Sequence, residues 1–195
     1  MIYFANHPNI KLRMIIAKEK KTSNIAEYIL YMWQIEDLIR ACNFNFEIID
    51  KKVLTQFKQP DNVLIEIKNW YAGLIHMMVE EGIKEKGHFQ FIDNIVADLN
   101  KFHSALLMSG KHNKYQQLYL QAADNINAFK QKSNDKKFND IEICLNGLYA
   151  LLILRLRKEK ISDGTNSAVS TFSKLLAYLS QQYKKFEEGE LELVY

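Results

Sequence analysis

Apolar side chains recur at intervals of three and four residues along most of the chain. In the first long segment, Ile25, Ile29, Met32 and Ile39 fall on one helical face, and Asn24 precedes them at a capping position. Such intervals match the 3.6-residue period of a helix, whereas a half-buried strand alternates at every second residue. The pattern therefore predicts α-helices rather than strands.

Further segments with the same period are separated by helix-ending residues such as Gly82 and Gly110. They cover residues 46–57, 60–82, 88–108, 115–129, 140–158 and 162–186. The segment over 140–158 is apolar on most of its circumference, which is typical of a helix covered on several sides. The sequence predicts an all-α, single-domain bundle of about seven helices, mostly antiparallel, around this central apolar helix.

The two ends of the chain lack this regular pattern. Residues 1–23 are interpreted as a partly extended N-terminal extension, residues 24–187 as the helical bundle domain, and residues 188–195 as a C-terminal tail. The tail alternates polar and apolar residues, so that it either frays or pairs with the segment 14–17. Met14 is a second possible start, and the choice between Met1 and Met14 stays open.

The composition fits a helical domain with its own core. The chain has 195 residues, 48% of them hydrophobic, with only 7 Gly and 2 Pro, too few for a turn-rich β-fold. Cys42 and Cys144 lie in apolar stretches without metal or disulfide spacing, which predicts two buried hydrophobic side chains. Residues 1–13 do not resemble a signal peptide, and no apolar stretch has membrane-spanning length. We expect a cytoplasmic protein that does not enter the membrane.

Charge gives little support for a nucleic-acid partner. The net charge is +3, and basic residues cluster only over 11–21 and 130–137. Acidic residues are interleaved with these clusters, so solvated surface is the favoured interpretation. A nucleic-acid-associated regulator stays as a second alternative.

Motifs that carry chemistry are missing. The chain contains no G-x-x-x-x-G-K-[ST] loop, no G-x-G-x-x-G and no H-E-x-x-H. The sequence therefore predicts no cofactor, favours a non-enzymatic role and identifies no catalytic residue by motif.

Helical phase nevertheless turns several charged side chains inward. Glu36 shares a face with Ile29 and Met32, Glu81 continues the stripe of its helix, and Arg155 lies beside apolar residues. Arg40 lies one turn after Glu36. A buried carboxylate is costly unless it is paired, so we predict a structural ion-pair network. Its members are Glu36, Arg40, Glu81 and Arg155.

A functional interpretation of the same set competes with the structural one. His88 opens a helix on its core side, so that Glu36, Glu81 and His88 are candidate catalytic or metal-binding residues. In this alternative the protein binds a metal or small ligand, or is an enzyme. His103 lies among apolar residues of the same helix and is interpreted as a core histidine.

Tyr31 and Trp33 suggest a contact surface. Tyr31 lies on the polar side of the first long helix and Trp33 at the edge of its apolar stripe. Exposed aromatic residues are enriched at interfaces. The leading hypothesis is therefore a protein-interaction or self-associating domain, with a homo-oligomer or another protein as partner.

Two segments also resemble a known family. They are Asn24-Ile-Ala-Glu-Tyr-Ile-Leu-Tyr-Met-Trp-Gln-Ile-Glu-Asp-Leu-Ile-Arg40 and Glu80-Glu-Gly-Ile-Lys-Glu-Lys-Gly-His88. They resemble an uncharacterised all-helical family of small Bacteroidetes proteins, a domain of unknown function, with the likeness running from Met14 to about Leu193. Members of that family mostly begin at the position of Met14. The resemblance implies a bacterial, cytoplasmic helical protein and supplies no reaction, cofactor or site.

Overall fold

The computed structural model describes residues 11–51, 60–132 and 138–192, with side chains from Ala17 onward. This part of the chain contains eight α-helices and no β-strand, which confirms the all-α prediction. They are α1 Lys11–Ser23, α2 Ile25–Ala41, α3 Phe46–Ile49, α4 Asp61–Glu80, α5 Gln90–Met108, α6 Asn113–Lys132, α7 Asp140–Leu156 and α8 Asp163–Glu187. None of these helices is long and apolar enough to cross a bilayer.

The described chain forms two compact units. The first holds residues up to Thr22 together with Glu27–Asn94, and the second holds Ser23–Ala26 with residues from Ile95 onward. The boundary at Asn94 falls inside α5, where the helical pattern is unbroken. For this reason the sequence pattern, which predicted one bundle, contains no sign of the division.

The N-terminal extension is more regular than we expected. Its described part, Lys11–Ser23, is the helix α1, and the segment 14–17 that we considered as a strand partner for the tail lies inside it. Helix-favouring Lys and Glu residues continue to Lys21 and support this conformation. The predicted helix over 46–57 begins as α3, while its residues 52–57 lie outside the described chain.

In the first unit, α4 buries one stripe of side chains. Its buried residues are Val63, Ile67, Tyr71, Leu74 and Met78. Tyr71, and not its neighbour Trp70, takes the inward position after Ile67, because the stripe advances by four residues there. An ion pair between Lys68 and Asp50, 2.8 Å long, joins α4 to the end of α3.

In the second unit, α7 packs against both α6 and α8. The consecutive residues Ile143, Cys144 and Leu145 are all buried, so α7 is covered on more than one side. A Cβ atom at Gly147 would lie 2.9 Å from two ring atoms of Phe172, which makes glycine necessary for this close packing. Cys42 and Cys144 are both buried and form no disulfide with each other, as predicted.

Candidate functional site

Glu36 is the most deeply buried charged residue of the described chain, with none of its surface exposed. One carboxylate oxygen accepts the backbone N–H of Phe89 at 3.0 Å. The other lies 2.6 Å from Nδ1 of His88. Because an ionised carboxylate only accepts hydrogen bonds, His88 donates its Nδ1 proton to Glu36. The helical phase of Glu36 predicted its inward orientation correctly.

Arg40 fastens the loop that leads to His88. Its guanidinium donates to the carbonyl oxygens of Ile83, at 3.2 Å, and Gly87. It also forms an ion pair with Asp37 at 3.1 Å, while its Nη1 lies 3.9 Å from the Glu36 carboxylate. Arg40 therefore offsets the charge of Glu36 and fixes the loop backbone at the same time.

Glu81 contacts the N-terminal end of α5, the same helix end that Glu36 binds through Phe89. Its side chain is exposed and accepts the backbone N–H of Gln90 at 2.8 Å. The prediction that Glu81 points inward is wrong because α4 ends at Glu80 and Gly82 turns the chain with a φ of +70°. The helical phase therefore does not continue through Glu81. The structure still brings Glu36, Glu81 and His88 together around the start of α5.

Arg155 does not have the inward position that the network prediction required. It lies on α7 in the second unit, and its side chain is exposed. The last turn of α7 is less covered than its first two turns, which removes the reason for a buried charge there. The prediction of an inward Arg155 is wrong.

Trp33 is buried and forms one wall of the cluster. Its ring stacks on the His88 imidazole, with centroids 4.3 Å apart and an angle of 18° between the planes. Only 4% of Trp33 is exposed, so the prediction that it presents a surface to a partner is wrong. Tyr31 is half-buried on the same helix.

A second polar cluster lies in the second unit. Nδ1 of the buried His103 is 2.6 Å from the hydroxyl oxygen of Tyr115, and its Nε2 is 3.9 Å from the Asp140 carboxylate. Tyr119 donates to Asp140 at 2.7 Å, and Lys130 binds the other carboxylate oxygen. These contacts join α5, α6 and the first residue of α7.

Burial dominates the protonation of this second cluster. Loss of hydration lowers the pKa of His103 and raises that of the Tyr115 hydroxyl far above its usual range. For Tyr119, burial and the hydrogen bond to Asp140 raise the pKa to about 12. Burial alone would raise the pKa of Asp140, but hydrogen bonds from Lys130 and Tyr119 outweigh it and hold that pKa below its usual value. His103 is therefore favoured neutral, and Tyr115 remains a hydroxyl donor.

From the sequence, the residues of this cluster could be interpreted only one at a time and not as a group. His103 was interpreted as a core histidine, and its burial agrees with that interpretation. Tyr115 and Tyr119 looked like members of an apolar stripe, and Asp140 looked like an ordinary first residue of a helix. The spacing from His103 to Tyr115 crosses a helix–helix connection, so no helical period indicates it.

Neither cluster forms a metal site on its own. Within residues 11–51, 60–132 and 138–192, no group of three or more His, Cys, Asp or Glu side chains is placed to hold a metal ion. Glu36 already has both oxygens engaged by His88 and Phe89. In the first cluster the His88 side chain is 32% exposed, so its ring is the group that a ligand can reach.

The second unit also has an open, mainly apolar hollow of about 310 Å³ beside α7. Two aromatic rings, Phe129 and Phe138, border it, and Lys132 and Asn146 are its polar neighbours. No set of converging polar groups marks it as a reaction centre.

Comparison with known proteins gives a family and no activity. The family model described as "Domain of unknown function (DUF4924)" matches residues 14–190. No curated protein and no solved structure matches the chain. Because the match spans most of the chain, the protein belongs to this family of unknown function.

Proposed function

We propose that this member of the DUF4924 family is a protein-interaction domain that pairs with a second copy of itself through the outer face of α4. The observation that carries the proposal is a row of apolar residues opposite the buried stripe. Ile65 is 58% exposed and Val79 is 41% exposed, and the exposed Ala72 lies midway between them. These three residues recur every seven positions, which supplies one of the two apolar positions per heptad in a helix-pairing seam.

Gly73 is a second observation in favour of pairing through α4. Glycine inside a helix costs about 1 kcal/mol relative to alanine. A Cβ atom built at Gly73 would have no neighbouring atom within 4 Å, so no contact in the described chain demands glycine there. Together with Ala72, it leaves a shallow surface on which another helix backbone can approach closely.

The order of residues along α4 favours a second copy as the occupant. In an antiparallel pair with its two-fold axis at Ala72, Ile65 of each copy faces the partner's Val79, so each apolar contact forms twice. The same arrangement brings Asp61, at the start of one helix, near the partner's Lys84, which is exposed just after the other helix. Antiparallel helix dipoles also attract each other.

The pairing is expected to be weak. α4 has 20 residues and is therefore about 30 Å long. One helix pair lies at the low end of interface sizes, below the roughly 1,200 Å² of stable complexes. We therefore expect a dimer that dissociates on dilution.

Sedimentation equilibrium of the full chain over a wide concentration range tests the proposal. The wild type should dimerise reversibly, and the double variant Ile65→Glu/Val79→Glu should remain monomeric because it places four carboxylates in the seam. Leu120→Glu is the matched control, since Leu120 is 71% exposed on α6, in the second unit. A wild type that stays monomeric throughout would overturn the proposal.

Gly73 gives a second and gentler test. Gly73→Leu should keep the monomer folded, because the added side chain meets open space, and should weaken the dimer by preventing close approach. Circular dichroism checks the fold, and sedimentation measures association. A Gly73→Leu protein that dimerises as strongly as the wild type would exclude close packing at this position.

A further inference from the structure

The His88 ring is held in one orientation. Glu36 binds its Nδ1 at 2.6 Å, and Trp33 stacks against its face at 4.3 Å. The next residue, Phe89, donates its N–H to the same carboxylate. Neutral His88 therefore carries its proton on Nδ1, and its lone pair is on Nε2 of a side chain that is 32% exposed.

His76 and His103 do not share this arrangement. Nε2 of His76 lies 3.1 Å from the Glu80 carboxylate, although its side chain is 73% exposed. His103 is buried, with only 5% of its side chain exposed. An oriented and accessible Nε2 with a carboxylate behind the ring thus distinguishes His88, and this is how proteins activate an imidazole as a nucleophile.

The charges around His88 permit an anionic group on Nε2. Lys84 and Lys86 are exposed on the preceding loop, and Arg40 donates to the Ile83 and Gly87 carbonyl oxygens of that loop. The nearby acids Glu81 and Asp37 are engaged by Gln90 N–H and Arg40, and Glu85 is exposed. His88 also precedes the N-terminus of the 19-residue helix α5, where the helix dipole favours a phosphoryl group.

We propose that His88 is a phosphorylation site, whose Nε2 accepts a phosphoryl group from a small acyl phosphate. The Nε2 lone pair attacks phosphorus and forms an N–P bond, while the P–O bond to the acyl group breaks and the carboxylate leaves with the electron pair. No proton is transferred. The ring becomes a cation whose Nδ1–H still binds Glu36, and the buried carboxylate balances that charge.

Reaction of the full chain with acetyl phosphate tests this inference. Intact-mass measurement and peptide mapping at neutral pH should find one acid-labile phosphoryl group, located on His88. It should accumulate roughly tenfold faster on His88 than on the more exposed His76, since an orienting partner contributes about that factor. His88→Gln should remove the modification. Equal or faster labelling of His76, or no labelling of His88, would overturn the proposal.

Glu36 acts here as a positioning residue, and Glu36→Gln tests that role. The amide can still accept the Phe89 N–H, but its NH₂ group donates to Nδ1 and moves the ring proton to Nε2. Labelling should fall roughly tenfold, whereas the matched control Glu81→Gln should label like the wild type. Imidazole nitrogen NMR of the wild type gives a readout that needs no variant. A proton found on Nε2 of neutral His88 would contradict the proposal.

Discussion

In both histidine clusters Nδ1 of the ring forms a short hydrogen bond, but the direction of that bond is opposite in the two. Nδ1 lies 2.6 Å from an oxygen in each, the Glu36 carboxylate for His88 and the Tyr115 hydroxyl for His103. A carboxylate accepts, so His88 keeps its proton on Nδ1. The Tyr115 hydroxyl, whose pKa is raised by burial, donates, so neutral His103 carries its proton on Nε2, towards Asp140.

This difference determines what each ring can do. In His88 the free lone pair is on Nε2, on a side chain that is 32% exposed. In His103 the lone pair is already used by Tyr115, and 5% of the side chain is exposed. The hydrogen-bond partner of Nδ1 therefore decides the role of each ring. It leaves His88 with an available lone pair, whereas it makes His103 a connection between helices.

Removal of the buried carboxylate should have the largest effect. Glu36→Ala leaves the Phe89 N–H and His88 Nδ1–H without an acceptor and Arg40 without its buried counter-charge. We expect a loss of about 3 kcal/mol in the free energy of unfolding of the first unit. Urea unfolding followed by hydrogen exchange of the α4 amides, which lie in the first unit, measures it.

Glu81→Ala is the control for that change, because Glu81 also accepts an amide of the α5 N-terminus but is exposed. Its loss should cost about 0.5–1 kcal/mol, as for an ordinary helix cap. Equal effects of the two variants would mean that burial of Glu36 contributes nothing beyond capping.

Tyr115→Phe should have an intermediate effect, in the second unit. The ring keeps its place, but Nδ1 of the buried His103 loses its donor. We expect a loss of about 1.5 kcal/mol, measured by urea unfolding. Tyr119→Phe, which removes a hydroxyl from a half-buried side chain, should cost less. The reverse order would show that Asp140, rather than His103, is the centre of this cluster.

Helical phase predicted those features that depend on a single helix. It identified the inward Glu36 and the buried His103. It failed for Glu81, which follows the last residue of its helix, and for Arg155, where the covering helices no longer enclose α7. Phase gives the direction of a side chain but not whether a neighbouring element covers it.

The sequence pattern could not predict the contacts between different helices. Stacking of Trp33 on His88 joins α2 to the start of α5, and His103 meets Tyr115 across a connection. Arg40, which helical phase places one turn after Glu36, lies 3.9 Å from its carboxylate, whereas the short contacts of Glu36 are with His88 and a backbone N–H. Such pairings depend on how helices pack, which the period of one helix does not contain.

Acid should have a graded effect on the stability of the second cluster. The pKa of His103 is lowered from 6.5 in the folded chain, so the unfolded chain binds this proton more readily. The resulting stability is complete above pH 6.5 and is lost as pH falls from there through the lowered pKa, by at most about 1.4 kcal/mol per pH unit. Asp140, whose pKa is lowered from 3.8, adds a separate loss only below that pH.

Hydrogen exchange of the α6 and α7 amides between pH 7 and 5 measures the loss that His103 causes. In His103→Gln the stability should not change with pH over that range. A slope that persists in His103→Gln would assign the acid sensitivity to another group.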